Sequence, residues 1–487
     1  MMMFKPKRIH PVGMILSFVK MIKSYIIPAI VFFFVVVEES FNLYFIIGGI
    51  CLVLIIVIVS VLGWLKFTYW IEDGEFRIEY GVIVKKKRYI PIERIQSINS
   101  SAGIIQQIFR LVKVQIETAG GGMEAEAVLT AISKSEAEAI EQALASYKHQ
   151  LTEEPIEEDE LIEKPDYPSY KIKPKELFVA ASTSSGIGVI ISAVAAFLSQ
   201  FDEFIPYEKL LDRFDFLANA SFTLYAILVF FGFFIAWVLS VIGVLLKYAF
   251  FTVTKIDDEI KISRGIFEKR QISIPLTRIQ AIKVVQNPLR QLLGYSTVYI
   301  ESAGGTAGDD GGSSTIVFPV IQKKDLMNLL DTYLPNFKLN EEVYSLPKRS
   351  MSRYIIRKAL LALIVIVPVS YLLFPWGLLS ILLLLVGILW GYQTFKDTGW
   401  YIVDNQLQLA YRFVSKSTIL VRRNRIQSIN HTKTFFQEKK SLKTFRVSIK
   451  SGIVGKSFSI KDMDDQDVEK LLSWYSYSSE NKTRHNL

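Results

Sequence analysis

Three arginines recur in one setting. Arg94, Arg278 and Arg425 each precede Ile-Gln, in Ile90-Pro-Ile-Glu-Arg94-Ile-Gln96-Ser-Ile98, Ile274-Pro-Leu-Thr-Arg278-Ile-Gln280-Ala-Ile282 and Val421-Arg-Arg-Asn-Arg425-Ile-Gln427-Ser-Ile429. A guanidinium can hold a carboxylate in a fork of hydrogen bonds, or hold an anionic ligand the same way. Glu117 and Glu301 stand 23 residues beyond Arg94 and Arg278, opening Glu117-Thr-Ala-Gly120 and Glu301-Ser-Ala-Gly304. The third copy reaches Lys450-Ser-Gly452 instead, so an Arg–Glu pair cannot be common to all three. A structural role for these arginines and glutamines is the expectation, ahead of ligand contact.

Other basic residues cluster without such partners. They are Lys85, Lys86, Lys87 and Arg88; then Arg264, Lys269 and Arg270; then Arg422, Arg423, Lys439, Lys440 and Lys443. From Lys396 to Tyr475 there are 15 Lys+Arg against 8 Asp+Glu, most of the formal +9 of the chain. Beside a bilayer, each base is worth ~1 kcal/mol toward anionic lipid. These residues are therefore the candidate contacts for anionic lipid or a partner, with Arg422, Arg423, Arg425 and Lys439, Lys440, Lys443 expected to share one edge. Nucleic acid is not expected, since no aromatic stacking motif accompanies the charge.

Catalytic chemistry finds no footing. Cys51 is the one cysteine and lies in an apolar run, while His10, His149, His431 and His485 lack ligand spacing. No nucleophile–base pair, metal cluster or phosphate loop is evident, so neither enzyme nor cofactor nor metal is expected. Ser185-Gly-Ile-Gly188 falls in an apolar segment and reads as helix packing. The glycine-rich Ala303–Ser314 stretch contains Asp309 and Asp310 and reads as a hairpin loop.

The elements that must position these groups repeat with them. Fixed self-similarity this long means domain duplication rather than a solenoid. Half of the 487 residues are hydrophobic, 33 of them Phe, and they concentrate in runs suited to membrane spans. The pairs are Met21–Val37 with Leu43–Leu65, Leu177–Phe201 with Phe216–Leu246, and Ala359–Phe374 with Gly377–Phe395, turned at Pro375-Trp376. Ala359–Phe374 is short, which puts Arg357 and Lys358 near the interface. The first run follows Lys5, Lys7 and Arg8 without a small-residue cleavage site, as in a retained anchor. Six spans in three hairpins are expected. The turn after the first span carries Glu38 and Glu39, and Asp202–Asp215 holds five acids against Lys209 and Arg213. The modules and both termini are thus expected on the cytoplasmic side of the cell membrane.

After each hairpin come β-rich residues, an acidic or Asn turn (Glu72-Asp-Gly74, Asp257-Asp258, Asp404-Asn405) and an alternating strand. Val112, Val114 and Ile116 alternate in copy one, Val298 and Ile300 in copy two, and Phe445, Val447 and Ile449 in copy three. An amphipathic helix closes each copy, with Leu326, Leu329, Leu330, Tyr333 and Leu334 in copy two and Val468, Leu471, Leu472 and Tyr475 in copy three. In copy one, Ser133 and Glu136 predict a capping box ahead of Ile140 and Leu144. The expected fold is α-helical membrane hairpins plus α+β modules, each an antiparallel β-barrel or sandwich with a C-terminal helix. The boundaries read 1–65 hairpin, 66–150 module, 151–175 acidic and Pro-rich linker, 176–246 hairpin and 247–335 module. A linker at 336–357, a hairpin at 358–395, a module at 396–477 and a polar tail at 478–487 complete the chain.

The Ile-Pro-x-x-Arg-Ile-Gln segment, Asn287-Pro-Leu-Arg-Gln-Leu-Leu-Gly294, the Glu301-Ser-Ala-Gly-Gly305 strand end and the closing helix together resemble bacterial pleckstrin-homology (PH) modules. Three of them, each behind a hairpin, resemble the YdbT-like membrane proteins of Bacillus and relatives. Copy one replaces Asn-Pro-Leu with Gly103-Ile-Ile105, and copy three has Arg422 in place of the proline. The resemblance implies a membrane scaffold that binds a smaller PH-module membrane protein or another copy of itself, in cell-envelope stress or antimicrobial resistance. An anionic-lipid sensor and a transporter or lipid-handling protein are the alternatives.

Overall fold

The computed structural model describes residues 5–36, 43–118, 125–150, 167–184, 192, 222–303, 314–452 and 455–476. They form two compact units. One is built mainly from Met1–Tyr167 and Ile256–Pro275, the other mainly from Pro168–Lys255, Leu276–Ala303 and Gly308–Leu487.

The elements repeat in order. Module one comprises α1 (Val12–Val36), α2 (Leu43–Leu65), β1 (Thr68–Glu72), β2 (Glu75–Tyr80), β3 (Lys86–Pro91), β4 (Ile95–Ala102), α3 (Ile104–Ile108), β5 (Leu111–Thr118), β6 (Ala127–Ser133) and α4 (Lys134–Gln150). Module two brings β7 (Ser169–Lys171), α5 (Pro174–Ser182), α6 (Phe222–Tyr248), β8 (Thr252–Ile256), β9 (Glu259–Arg264) and β10 (Lys269–Pro275). It continues with β11 (Ile279–Gln286), α7 (Pro288–Leu292), β12 (Tyr295–Ser302), β13 (Ser314–Gln322) and α8 (Lys323–Tyr333). Module three has β14 (Tyr344–Ser345), α9 (Met351–Leu372), α10 (Leu382–Lys396), β15 (Gly399–Val403), β16 (Gln406–Arg412) and β17 (Lys416–Arg422). It ends with β18 (Ile426–Thr432), α11 (Phe435–Glu438), β19 (Leu442–Ile449), β20 (Lys456–Asp464) and α12 (Asp465–Tyr475).

Among the described residues four stretches are long and apolar enough to cross a membrane: Ile47–Leu65, Ile227–Tyr248, Lys348–Leu372 and Trp376–Lys396. Ile47–Leu65 carries no charged residue, and the charges of Lys348–Leu372 are confined to its first eleven residues, Lys348 to Lys358. Most of the run 177–201 and the acidic turn 202–215 lie outside the described residues. So do the turn 38–42, most of the linker 151–175, the loop 304–313 and the tail 478–487.

In modules one and three two sheets enclose one core. Module one packs Phe76, Ile78 and Ile90 of the first sheet against Val114, Ile116 and Leu129 of the second, with Ala137, Ile140 and Leu144 of α4 sealing the end. The β1–β2 hairpin closes through Asp73 and Gly74, both at positive φ, as a tight turn on twisted strands demands. Ser133 Oγ accepts from Glu136 N at 3.1 Å, the N-terminal half of the expected box. The Glu136 carboxylate instead takes Lys7 Nζ at 2.8 Å.

Two arrangements differ from the sequence expectation. First, each module recruits backbone from before its own hairpin. Lys7 bridges Tyr69, β7 pairs with β8, and β14 pairs with β15. The stretches expected as linkers are therefore partly ordered. Across 336–357, Lys338 and Asn340 exchange backbone hydrogen bonds with the side-chain amides of Gln406 and Gln408. Arg353 Nε then meets Asp462 Oδ1 at 2.8 Å, and Arg357 pairs with the same buried carboxylate.

Second, the modules are not separately closed barrels. In the first unit β10 continues the β4–β5–β6 sheet, with Lys269 opposite Ala102, Arg270 opposite Ser101 and Gln271 opposite Ser100. In the second, β17 continues the β11–β12–β13 sheet over six residue pairs, Ala281↔Val421 to Gln286↔Lys416. Each join satisfies backbone donors and acceptors that an edge strand would leave open. Side chains fasten both. Asn99 Oδ1 accepts from Ser273 N at 3.2 Å, while Asn99 Nδ2 donates to Glu117 at 2.9 Å. The fully buried Glu301 takes Lys456 Nζ at 2.6 Å and the Ser314 hydroxyl at 2.7 Å.

Two stability outcomes follow. Phe445 is fully buried, so Phe445→Ala should cost ~3–5 kcal/mol in denaturant titration of the detergent-solubilised chain. Lys456→Met strands the Glu301 carboxylate and should cost about 3 kcal/mol. Adding Glu301→Gln should recover part of that loss. A double-mutant cycle returning no coupling would show the pair to be idle.

Candidate membrane-facing surface

The recurring arginines sit at the ends of 3-10 turns that lead into β4, β11 and β18. Their surroundings differ. Arg94 is exposed, whereas Arg278 is buried and donates to Ala303 O at 2.9 and 3.2 Å. Arg425 donates to Thr277 O at 2.7 Å and so ties module three to module two. Gln280 is buried and donates to Arg278 O, while Gln427 is exposed. Gln96 lines an open cleft of about 500 Å³ together with Glu141, Asp257, Asp258, Glu259 and Lys261, an acid-rich wall unsuited to an anion. Burial raises the Glu141 carboxyl pKa there.

The basic clusters divide similarly. Lys85 and Lys87 reach Glu79 at 2.6 and 2.8 Å and hold its carboxyl below the usual range, and Arg88 pairs with Glu126 at 3.5 Å. Arg264 is buried. Lys269 is exposed, and Arg270 meets Glu268 at 2.9 Å. Arg422 is half-buried on β17, opposite Gln406. Arg423 donates to Tyr475 O and Ser476 O, closing the end of α12 with its guanidinium over Trp474. Lys443 meets Glu469 at 2.7 Å, and that bond raises the lysine pKa and lowers that of the glutamate. Arg423, Arg425 and Lys443 thus serve the fold. Lys439 and Lys440 remain exposed, with Lys439 lying over the Phe435 ring at 4.6 Å.

Apolar tips, which charge alone did not reveal, accompany the exposed bases. Each module projects two. Between β2 and β3, Ile83 is 96% exposed and Val84 stands beside it, immediately before Lys85. Gly81 makes this turn possible, because a Cβ there would lie 2.0 Å from Val84 O. Lys66, directly after α2, donates to Val82 O and fixes the tip at the end of that helix. Ile266 and Phe267 form the corresponding tip before Lys269, and Phe413 and Val414 the one before Lys416. The Phe413 carbonyl accepts from Trp390 Nε1 of α10 and Lys358 Nζ of α9.

The second tip is the short helix between the paired strands. Ile104, Ile108 and Phe109 are exposed around α3, while Ile105 packs with Val12 and Leu16 of α1. Leu289, Leu292 and Leu293 are exposed around α7, Leu292 at 85%. Asn287 and Arg290 bind that helix to Thr183 and Ala180 at the end of α5. Phe435 and Phe436 are exposed on α11, the latter at 71%. Gln437 next to them donates to Asp462, the carboxylate that holds α9. Val82 O and Phe413 O in these tips accept from Lys66, directly after α2, and from Trp390 of α10 and Lys358 of α9, Ile105 of α3 packs on α1, and bases follow most of the tips. The signal available in the sequence was an apolar pair directly ahead of each basic cluster, as in Ile83-Val84-Lys85 and Phe435-Phe436-Gln-Glu-Lys439. Among the described residues no group of His, Cys, Asp and Glu could hold a metal ion.

A family profile described as Bacterial PH domain matches three times, over residues 24–148, 193–336 and 359–479. Each match begins inside an apolar run, so the repeating unit is span plus module. The UPF0699 transmembrane protein YdbT of Bacillus subtilis (strain 168) is 45% identical over 493 residues, covering 98% of this chain and 99% of that relative. No solved structure matches. The chain belongs to the bacterial PH domain family and is a transmembrane protein that carries this domain three times.

Proposed function

We propose that the protein is a non-enzymatic scaffold of the cell membrane. Six spans in three hairpins hold three PH modules against the cytoplasmic face, with both termini on that side. The modules bind one another and a protein partner, a smaller membrane protein with one such module or a second copy. The observation that carries this reading is the pair of sheet joins, in which one module takes up an edge strand of the next. Strand addition of this kind is a general binding device that draws its affinity from backbone hydrogen bonds and needs no cofactor. The bases before the first span and the acidic turns beyond the spans support the orientation.

A second role, contact with anionic lipid, is favoured by the apolar tips and the bases behind them. Aliphatic and aromatic side chains at the end of a span suit the interface, and lysines just behind them suit anionic head groups. Transport is less supported, since α2 contains no charge to mark a midplane site.

Affinity purification of the full chain in mild detergent should yield a stoichiometric partner or a defined oligomer. A clean monomer would count against the scaffold. For lipid contact the full chain is needed, because a fragment of module three alone exposes the β17 edge. In nanodiscs, an environment-sensitive fluorophore at Ile83→Cys or Phe436→Cys, in a Cys51→Ser background, should be quenched by brominated acyl chains. The same label at Lys470→Cys should not be. Equal quenching at all three sites would remove the tips from the bilayer. Lys439→Gln with Lys440→Gln should lower the anionic lipid retained by the protein, an effect that shrinks as salt shortens the ~8 Å screening length.

A further inference from the structure

Both joins obey one rule: a strand of one module's second sheet receives a strand of the next module's first sheet. β4 receives β10, and β11 receives β17. One edge of each kind remains at the ends of the series, β3 on the first sheet of module one and β18 on the second sheet of module three.

The two edges are chemically unlike. Aligned on Ile90-Pro91 and Ile274-Pro275, β3 places Arg88 where β10 has Ile272 and β17 has Ile419. Those isoleucines are 5% and 0% exposed, whereas Arg88 is open to solvent. With Lys86 and Lys87 beside it, β3 carries the charge by which sheets close an edge against pairing.

β18 has no such protection. Its Ile426-Gln-Ser-Ile-Asn430 repeats Ile95-Gln-Ser-Ile-Asn99 of β4 residue for residue. In β4 that pentapeptide leads into the join, whose ladder pairs Ser100 to Ala102, and its Asn99 side chain clasps Ser273 N of the incoming strand. Asn430 is exposed, with no side-chain hydrogen bond among the described residues. A second copy of this chain could offer only β3, because its β10 and β17 are already paired. In the β4–β10 register Lys85 would then face Lys433, and Lys87 would face His431. Arg446, opposite Asn430 in the same sheet, adds to the positive charge.

Resting on the scaffold reading, we propose that β18 is the acceptor edge for a PH module on a separate polypeptide. The strand that pairs there is neutral or acidic and has an aliphatic residue at the Ile272 position.

Photo-crosslinking of the full chain in its own membranes tests this, with p-benzoylphenylalanine at Thr432 and, for comparison, at Arg88. The Thr432 site should give one adduct, mapped by mass spectrometry to a first-sheet strand of a PH module on another polypeptide. The Arg88 site should not give that adduct. His431→Lys puts an ammonium where module two buries Val284 and should abolish it with an unchanged melting temperature. An adduct to this chain's own β3 peptide would make the occupant a second copy and overturn the assignment. Absence of any adduct at Thr432 would overturn it as well. If a stoichiometric partner co-purifies but crosslinks only from other sites, the scaffold stands and the β18 assignment falls.

Discussion

Backbone groups at the edge of a β-sheet must find partners, and that constraint organises this molecule. Each module contributes two groups of three strands, each of which would end in an open edge. The chain meets the demand twice by using the next module as the missing strand. The core of module three takes in Ala281 of β11, and the hydrogen-bonded ladder runs through that same join. Side chains at the joins repeat this economy. Asn99 and Glu117 work as one bracket in the first, and Glu301 with Lys456 as one in the second.

The membrane imposes the second constraint. A helix in lipid gains no hydrophobic energy from association, so its orientation must be set elsewhere. Here polar contacts at the helix ends set it. Asn287 and Arg290 grip α5, Asp462 grips α9, and Trp64 of α2 donates to Ile9 O. Two of the apolar tips are fastened to helices in the same way, Val82 O to Lys66 after α2 and Phe413 O to Trp390 of α10 and Lys358 of α9.

Much of this was legible in the sequence, and the reasons for the rest are physical. Period-2 alternation in Val112–Ile116 and Phe445–Ile449 located the inner strands, since burial is what alternation records. The stripe in α8 and α12 was equally clear. The strands β7 and β14 were not legible, because their partners lie 54 to 85 residues on, beyond the apolar runs, and a two- or three-residue strand has no period to read. The joins were invisible for a related reason. Ile272 and Ile419 look like ordinary core residues whether the sheet beside them ends or continues. Charge alone did not separate Arg423 and Lys443, which make hydrogen bonds to Tyr475 O and Glu469, from the exposed Lys439 and Lys440.

Asp462 has a mechanical consequence. Its fully buried carboxylate lies on β20 and holds Arg353 and Arg357, one helical turn apart on α9, while Gln437 of α11 binds it from the other side. Withdrawing α9 from β20 would leave this buried charge without either counterion, so the first turns of α9 are fastened to module three.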